Sequence, residues 1–418
     1  MFLKRFFLVI FVVWFSVNAK AENQIIDRFF AEFRALVTEK YVNPNEIDLE
    51  PWLSNIEQLL RAKCKDTPCF NSDFERILSG EVRKVNDYHF SVESLQPDES
   101  DIPEITLGQK SRSFIFGFQA LLSNNRLVVR YVQPKTPADR VGLRVGDEIL
   151  AMNDAQMPAS ELLRSIDRQE ARHLATKLKI RREENIEVSI QFTPEASKFW
   201  QPWYQMLNAN TAILFIPSFS IANTSEVEVH KLVNELSRLG VTKLIVDLRV
   251  TRGGTPYTVM NAAGAFLPEV KKIYKTKSGL VITYEFKNAA YTYQTSAKPG
   301  EVQTGTLDEL NAQFKGSVRV LTSADTVSGP ENFAEILQNA KRARVVGEPT
   351  AGGAGVGAEA FDLLSGGRLV LSVYRHYHSD GSIVPTKVIP DVKAILDIES
   401  LSKAQDTQIQ AALQDFDK

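Results

Sequence analysis

The sequence predicts a layered α/β protein preceded by a separate β domain and a helical N-terminal region. Three patterns carry that reading. From about Trp200 short apolar strands alternate with helical periodicities. Residues 111–195 alternate apolar and polar side chains with period two, and residues 23–60 repeat apolar side chains at helical spacing.

The chain has 418 residues, enough for two or three domains at about 150 residues each. Apolar residues make up 44% and charged residues 24%, which excludes a disordered tail or a repetitive fibre. Lys plus Arg number 49 against 51 Asp plus Glu, so the broad basic surface that nucleic acid requires is absent and no nucleic-acid partner is expected.

At the N-terminus Lys4 and Arg5 precede the apolar run Phe6–Phe15 and then Ala19-Lys20-Ala21, the pattern of a secretory signal peptide over residues 1–21. That run is shorter than the roughly 18 residues that span a bilayer, so no stable membrane span is expected after cleavage, an uncleaved anchor being the other reading. The protein is therefore expected to be exported, periplasmic or secreted. In such a compartment the two cysteines, Cys64 and Cys69, are expected to form a local disulfide. A zinc site is the alternative, but no second Cys or His pair stands at ligand spacing; no metal and no cofactor are implied.

In chain order, Ile25, Ile26, Phe29, Phe30, Phe33, Leu36 and Val37 predict one amphipathic helix, and Trp52, Leu53, Ile56, Leu59 and Leu60 a second. Val85–Val92 reads as a β-prone stretch and Gln96–Glu104 as a linker. Phe114, Phe116 and Phe118, then Leu127, Val129 and Tyr131, alternate as strands. Beyond Trp200, strands are expected at 212–216, 243–248, 318–322 and 344–347, with helices at 227–239, 258–266 and 330–340; a surface helix closes the chain at 401–416.

Three segments of the α/β part could carry chemistry. In Ser323-Ala324-Asp325-Thr326-Val327-Ser328-Gly329-Pro330-Glu331, Pro330 suits the first turn of a helix, which sets Ser328 near its N-terminus, where free amides favour negative charge. Such a serine is partly prepared as a nucleophile, although on this motif alone a plain helix-cap or turn serine is the favoured reading. Asp247–Gly254 ends a buried strand in Gly253 and Gly254, whose amides could turn toward an oxyanion or make only a tight turn. Val345–Gly355 is glycine-rich but misses the spacing of a phosphate loop.

Thr136–Leu150 resembles the PDZ domain of exported bacterial proteases. The resemblance implies that the backbone N–H groups of Phe116-Gly117-Phe118 bind a peptide's C-terminal carboxylate while the peptide adds as a strand; a spacer with a filled groove is the other reading. The three segments in their order resemble the core of the C-terminal-processing, or tail-specific, serine peptidases and their tricorn-like relatives, over residues 85–395. That resemblance implies a crotonase-like core of ββα units with an inserted PDZ-like domain, a nucleophile at Ser328, and an oxyanion hole made by Gly329 with Gly253 or Gly254. The expected division is 1–21 signal peptide, 22–110 helical region and linker, 111–195 PDZ-like domain, 196–400 peptidase core and 401–418 C-terminal helix.

The lysine-dependent branch of that family carries its general base 25 residues after the nucleophile, and here that position is Gly353. The tricorn-like branch uses a histidine from an earlier Asp-x-His stretch, which Asp87-Tyr88-His89 resembles; an imidazole is chemically competent to take the hydroxyl proton, a packed structural histidine being the other reading. The glutamate that orients it in that branch has no counterpart in Ile383–Asp391. His376 and His378 are substitute bases, expected instead on a hairpin surface. The expected function is an exported serine endopeptidase acting on polypeptides selected by the PDZ-like domain, with a catalytically inactive peptide- or ligand-binding protein on the same fold as the alternative. Nothing in the sequence indicates the oligomeric state.

Overall fold

The computed structural model describes residues 26–64, 71–93, 114–182, 186–196, 201–219, 225–306 and 309–418. The signal-peptide segment, Cys69 of the cysteine pair and the 96–104 linker lie outside these residues. Among the described residues no helix is long and apolar enough to cross a membrane.

A six-stranded sheet organises the C-terminal half. Strands Thr211–Phe215, Lys243–Asp247, Ser317–Thr322, Ala343–Gly347 and Val392–Lys393 run parallel in spatial sequence, and Trp203–Asn208 adds antiparallel at the edge. The strands are apolar at consecutive positions because both faces are covered. Helices Ser225–Arg238, Pro256–Ala263 and Gly329–Asn339 bury one face. The other face is covered by the C-terminal helix Thr407–Asp415. This corrects the expected single surface helix at 401–416. Two short helices form there, Ile398–Leu401 and Thr407–Asp415, each capped by an aspartate, Asp397 and Asp406. The first rests against Val128 of the β domain and the second against Ile213, Ile245 and Leu321 of the sheet.

A second, seven-stranded sheet links the N-terminal region to this half. Its strand Arg368–Tyr377 pairs antiparallel with Val356–Asp362 along one edge, and along the other with Ser91–Glu93 at residues 368–370 and with Glu269–Thr276 at residues 374–377. The N-terminal helices (residues 26–40, Leu49–Lys63 and Asn71–Val82) bury Phe33, Tyr41, Leu53 and Leu78 against Leu369, Leu371 and Val373 of that strand. The N-terminal region thus builds its core on that strand of the C-terminal half. The β-prone 85–92 stretch contributes only Ser91 and Val92, to strand Ser91–Glu93, because a 3-10 turn at Arg83–Val85 and a left-handed Asn86 (φ 58°) precede it.

The β domain is a five-stranded antiparallel sheet, Phe118–Ser123, Arg126–Val132, Glu148–Met152, Thr176–Arg181 and Glu187–Phe192, with helix Ala159–Ala171 packed on it. The run expected through Phe114, Phe116 and Phe118 is interrupted. Gly117 adopts φ +92°, and a side chain there would collide with Thr136, so the chain bends between two strands.

Candidate active site

The parallel strands Lys243–Asp247 and Ser317–Thr322 end side by side, and their loops continue the pairing. Val327 N donates to Thr251 O (3.3 Å) and Gly253 N to Val327 O (3.0 Å); Ser323 Oγ and Thr326 Oγ1 donate to Arg249 O and Leu248 O. Carboxyl ends of parallel strands are where open α/β sheets place ligands. Here they bring Ser328 beside Gly253 and Gly254.

Ser328 is the residue before helix Gly329–Asn339 and sits at φ +68°, ψ −111°, a conformation that side-chain-bearing residues rarely adopt. Gly329 follows with its Cα so near the other loop that a Cβ would stand 2.5 Å from Gly253 O. Strain of this kind persists only where surrounding contacts enforce it and is found at functional sites. Gly253 (φ 65°) and Gly254 (φ 136°) both need glycine's freedom. Their roles separate, however: the Gly253 amide is engaged by Val327, which leaves Gly254 and Gly329 as the amides able to turn to a ligand.

Glu331 ties the third segment in. Fully buried in the first helical turn, its carboxylate accepts from the amides of Ser328 (2.6 Å), Gly352 (2.8 Å) and Gly353 (2.7 Å). Burial pushes its pKa above the usual carboxylate range, and these donors, with the Thr350 hydroxyl, oppose that shift. The sequence reading missed Glu331, although Ser328-x-x-Glu331 is a capping-box spacing and was the available signal.

His89 reaches the same place from the N-terminal region. Phe90 is anchored among Phe33, Tyr41 and Trp52, and Asp87 Oδ1 accepts the backbone N–H of His89 (3.0 Å) and the hydroxyl of Ser372 (3.0 Å). The ring then lies over Gly353: a Cβ on that glycine would be 2.7 Å from His89 Cε1 and 3.0 Å from Glu331 Oε2. His89 is 6% exposed; burial lowers its pKa and the Asp87 charge partly restores it. Among the described residues neither His89 Nδ1 nor Asp87 Oδ2 has a hydrogen-bond partner.

The hairpin expectation for His376 is wrong. It lies within strand Arg368–Tyr377, 4% exposed, with Nδ1 facing Ala354 O (3.0 Å) and Asn332 Oδ1 (3.2 Å). Both neighbours are acceptors, so Nδ1 carries the proton. Burial holds its pKa well below the usual imidazole value, with the Lys272 charge acting in the same direction. The Tyr274 ring of the neighbouring strand, edge-on at 4.7 Å, and the segment 354–357 cover it, contacts that no local pattern announces. His378 does lie at the turn, its Nε2 3.3 Å from Glu335 Oε1. Asn332, also missed, donates to Ser328 O (3.2 Å) and accepts from buried Lys272 (3.2 Å), which pairs with Glu335 (2.6 Å).

In the β domain the rings of Phe116 and Phe118 are buried against Phe192. The Phe116 amide donates to Glu170 Oε1 at 2.5 Å. Arg130 of this domain and Arg252 of the glycine loop both pair with Asp325, three residues before Ser328. Among the described residues no cluster of side chains suited to a metal occurs.

Residues 210–394 match the family model described as Peptidase family S41. The chain carries an S41 peptidase domain. A carboxyl-terminal-processing protease of Picosynechococcus sp. is 23% identical over 289 residues, 67% of this chain and 64% of the relative. The carboxy-terminal processing protease CtpB of Bacillus subtilis is 22% identical over 339 residues, 77% of this chain and 64% of the relative. A tail-specific protease of Haemophilus influenzae is 29% identical over 143 residues, 17% of its length. The chain thus spans less than two thirds of the curated relatives it matches. Among solved structures, mature CPAF complexed with lactacystin superposes with TM-score 0.54 at 13% identity, covering 96% of this chain and 97% of that one. The photosystem II D1 C-terminal processing protease gives 0.50 at 18%, covering 92% and 96%. These two share the fold of this chain. The S41 domain holds Ser328, Gly329, Gly253, Gly254 and Gly353; His89 comes from outside it.

Proposed function

We propose that the protein is an exported serine endopeptidase in which Ser328 is the nucleophile and His89 the general base. The observation that carries this reading is the position of the His89 ring in the volume that a side chain at 353 would fill. Where the lysine-dependent branch would project its base from that position, this chain presents an imidazole instead. In the reaction Ser328 Oγ attacks the peptide carbonyl carbon while its proton passes to His89, and the amides of Gly329 and Gly254 hold the oxyanion. His89 then returns the proton to the departing amine, and water, activated by the same ring, hydrolyses the acyl-enzyme. Asp87, which holds the His89 backbone N–H and whose charge bears on the ring, is the carboxylate we assign to favour the protonated imidazole in place of the missing glutamate. Residues 114–196 act as a PDZ-like module, offering the edge strand Phe118–Ser123 to an extended polypeptide.

Fluorophosphonate treatment of the mature protein tests the reading. Covalent mass on Ser328, absent in Ser328→Ala together with hydrolysis of denatured casein, is the expected result. Absence of labelling at Ser328 in a folded protein that cleaves no chain overturns it and leaves a ligand-holding protein.

A further inference from the structure

In the β domain a carboxylate already sits at the loop where a peptide's terminal carboxylate would be bound. Glu170, in the last turn of helix Ala159–Ala171, accepts the N–H of Phe116 at 2.5 Å. That helix packs beside Phe118–Ser123, an edge strand of the five-stranded sheet, and the PDZ-like reading puts the peptide groove between them. We propose that Glu170 is a specificity determinant of this groove: it stands in for a terminal carboxylate at Phe116-Gly117-Phe118, so the groove takes an extended internal segment of polypeptide and turns away free C-termini. The inference rests on the PDZ-like reading of residues 114–196.

The physical reason is competition for one donor between like charges. A free C-terminus would need the amide that Glu170 holds and would bring a second negative charge into a half-buried site, which is costly at close range. Asp167, one turn earlier on the same helix, adds to the negative potential, and burial pushes the Glu170 pKa up to about 7. An internal segment brings no such charge. It pairs its backbone with the free edge of Phe118–Ser123 and leaves the Phe116–Glu170 contact intact. Asp167 also feels the charge of Arg252, the neighbour of Gly253.

The test uses the mature Ser328→Ala protein at pH 8, where Glu170 is ionised, and two fluorescein-labelled pools of randomised octapeptides, one with free C-termini and one amidated. Fluorescence anisotropy should show the amidated pool binding at least tenfold more tightly, and Glu170→Gln and Glu170→Ala should each abolish or reverse that preference. Equal binding of both pools, a preference for free C-termini, or an unchanged preference in both Glu170 variants overturns the inference while leaving the groove in place. Failure of every variant to bind either pool overturns the PDZ-like reading and the inference with it.

Discussion

A β-carbon on Gly353 would stand 2.7 Å from Cε1 of His89, so a side chain at 353 requires the imidazole to move. Gly353→Ala is therefore expected to displace the ring and lower kcat at least tenfold, with an overpacking cost of about 1–3 kcal/mol in stability. His89→Ala should abolish activity while relieving that cost, so the Gly353→Ala/His89→Ala pair should be markedly non-additive in a denaturant-unfolding cycle. Additive losses would separate the two residues.

Activity should persist on the acid side of neutrality. Burial lowers the His89 pKa, which keeps the ring neutral and able to accept a proton below the ordinary imidazole value of about 6.5. The acid limb of a kcat/KM profile measured on a casein fragment is expected below pH 6.5. A limb above that value would contradict the placement of His89.

Stability should fall on acidification in a window set by buried neutral histidines. His230 accepts the Ala312 amide at Nδ1 (3.0 Å) and donates Nε2–H to Asn261 O (2.9 Å), so protonation at Nδ1 would displace a bonded amide. Burial lowers its pKa to about 4. The folded value lies below the unfolded one, so the stabilisation is whole above pH 6.5, erodes as pH falls, and is lost near pH 4. At 1.36 kcal/mol per pKa unit the full loss is about 3 kcal/mol. Urea midpoints from pH 8 to pH 4 should show it, and His230→Gln should flatten the dependence.

Lys272 and Glu335 pair at 2.6 Å with both side chains almost wholly buried. Lys272→Met should cost about 3–5 kcal/mol because it strands the carboxylate, whereas Lys272→Met/Glu335→Leu should recover most of that loss. Chemical denaturation of the three variants measures it; a double variant no more stable than Lys272→Met would show that the pair's surroundings demand polarity.

Asp325 joins the β domain to the nucleophile loop through Arg130 and Arg252. With Arg130 only 10% exposed, Asp325→Ala is expected to cost about 1–3 kcal/mol and to lower kcat more than it raises KM. Unchanged kinetics would mean that the bridge is only structural.

Much of this was legible locally. The βα alternation, the Ser328-Gly329-Pro330 helix opening and the Gly253-Gly254 turn announce themselves in residue order, because strand patterning, helix caps and glycine turns are short-range physics. His89 was reachable only through resemblance, since no local pattern ties a residue in the helical region to a loop more than two hundred positions later. The tertiary structure decided that tie: Ser91–Glu93 pairs with Arg368–Tyr377, Phe90 locks into an aromatic core, and the ring falls over Gly353. The same holds for His376, whose local turn signals suggested a surface but whose strand is covered from both sides, and for Glu170, an ordinary helix acid until Gly117 bends Phe116 toward it. Burial and long-range proximity are properties of the packed chain, and they set which carboxylates and imidazoles meet.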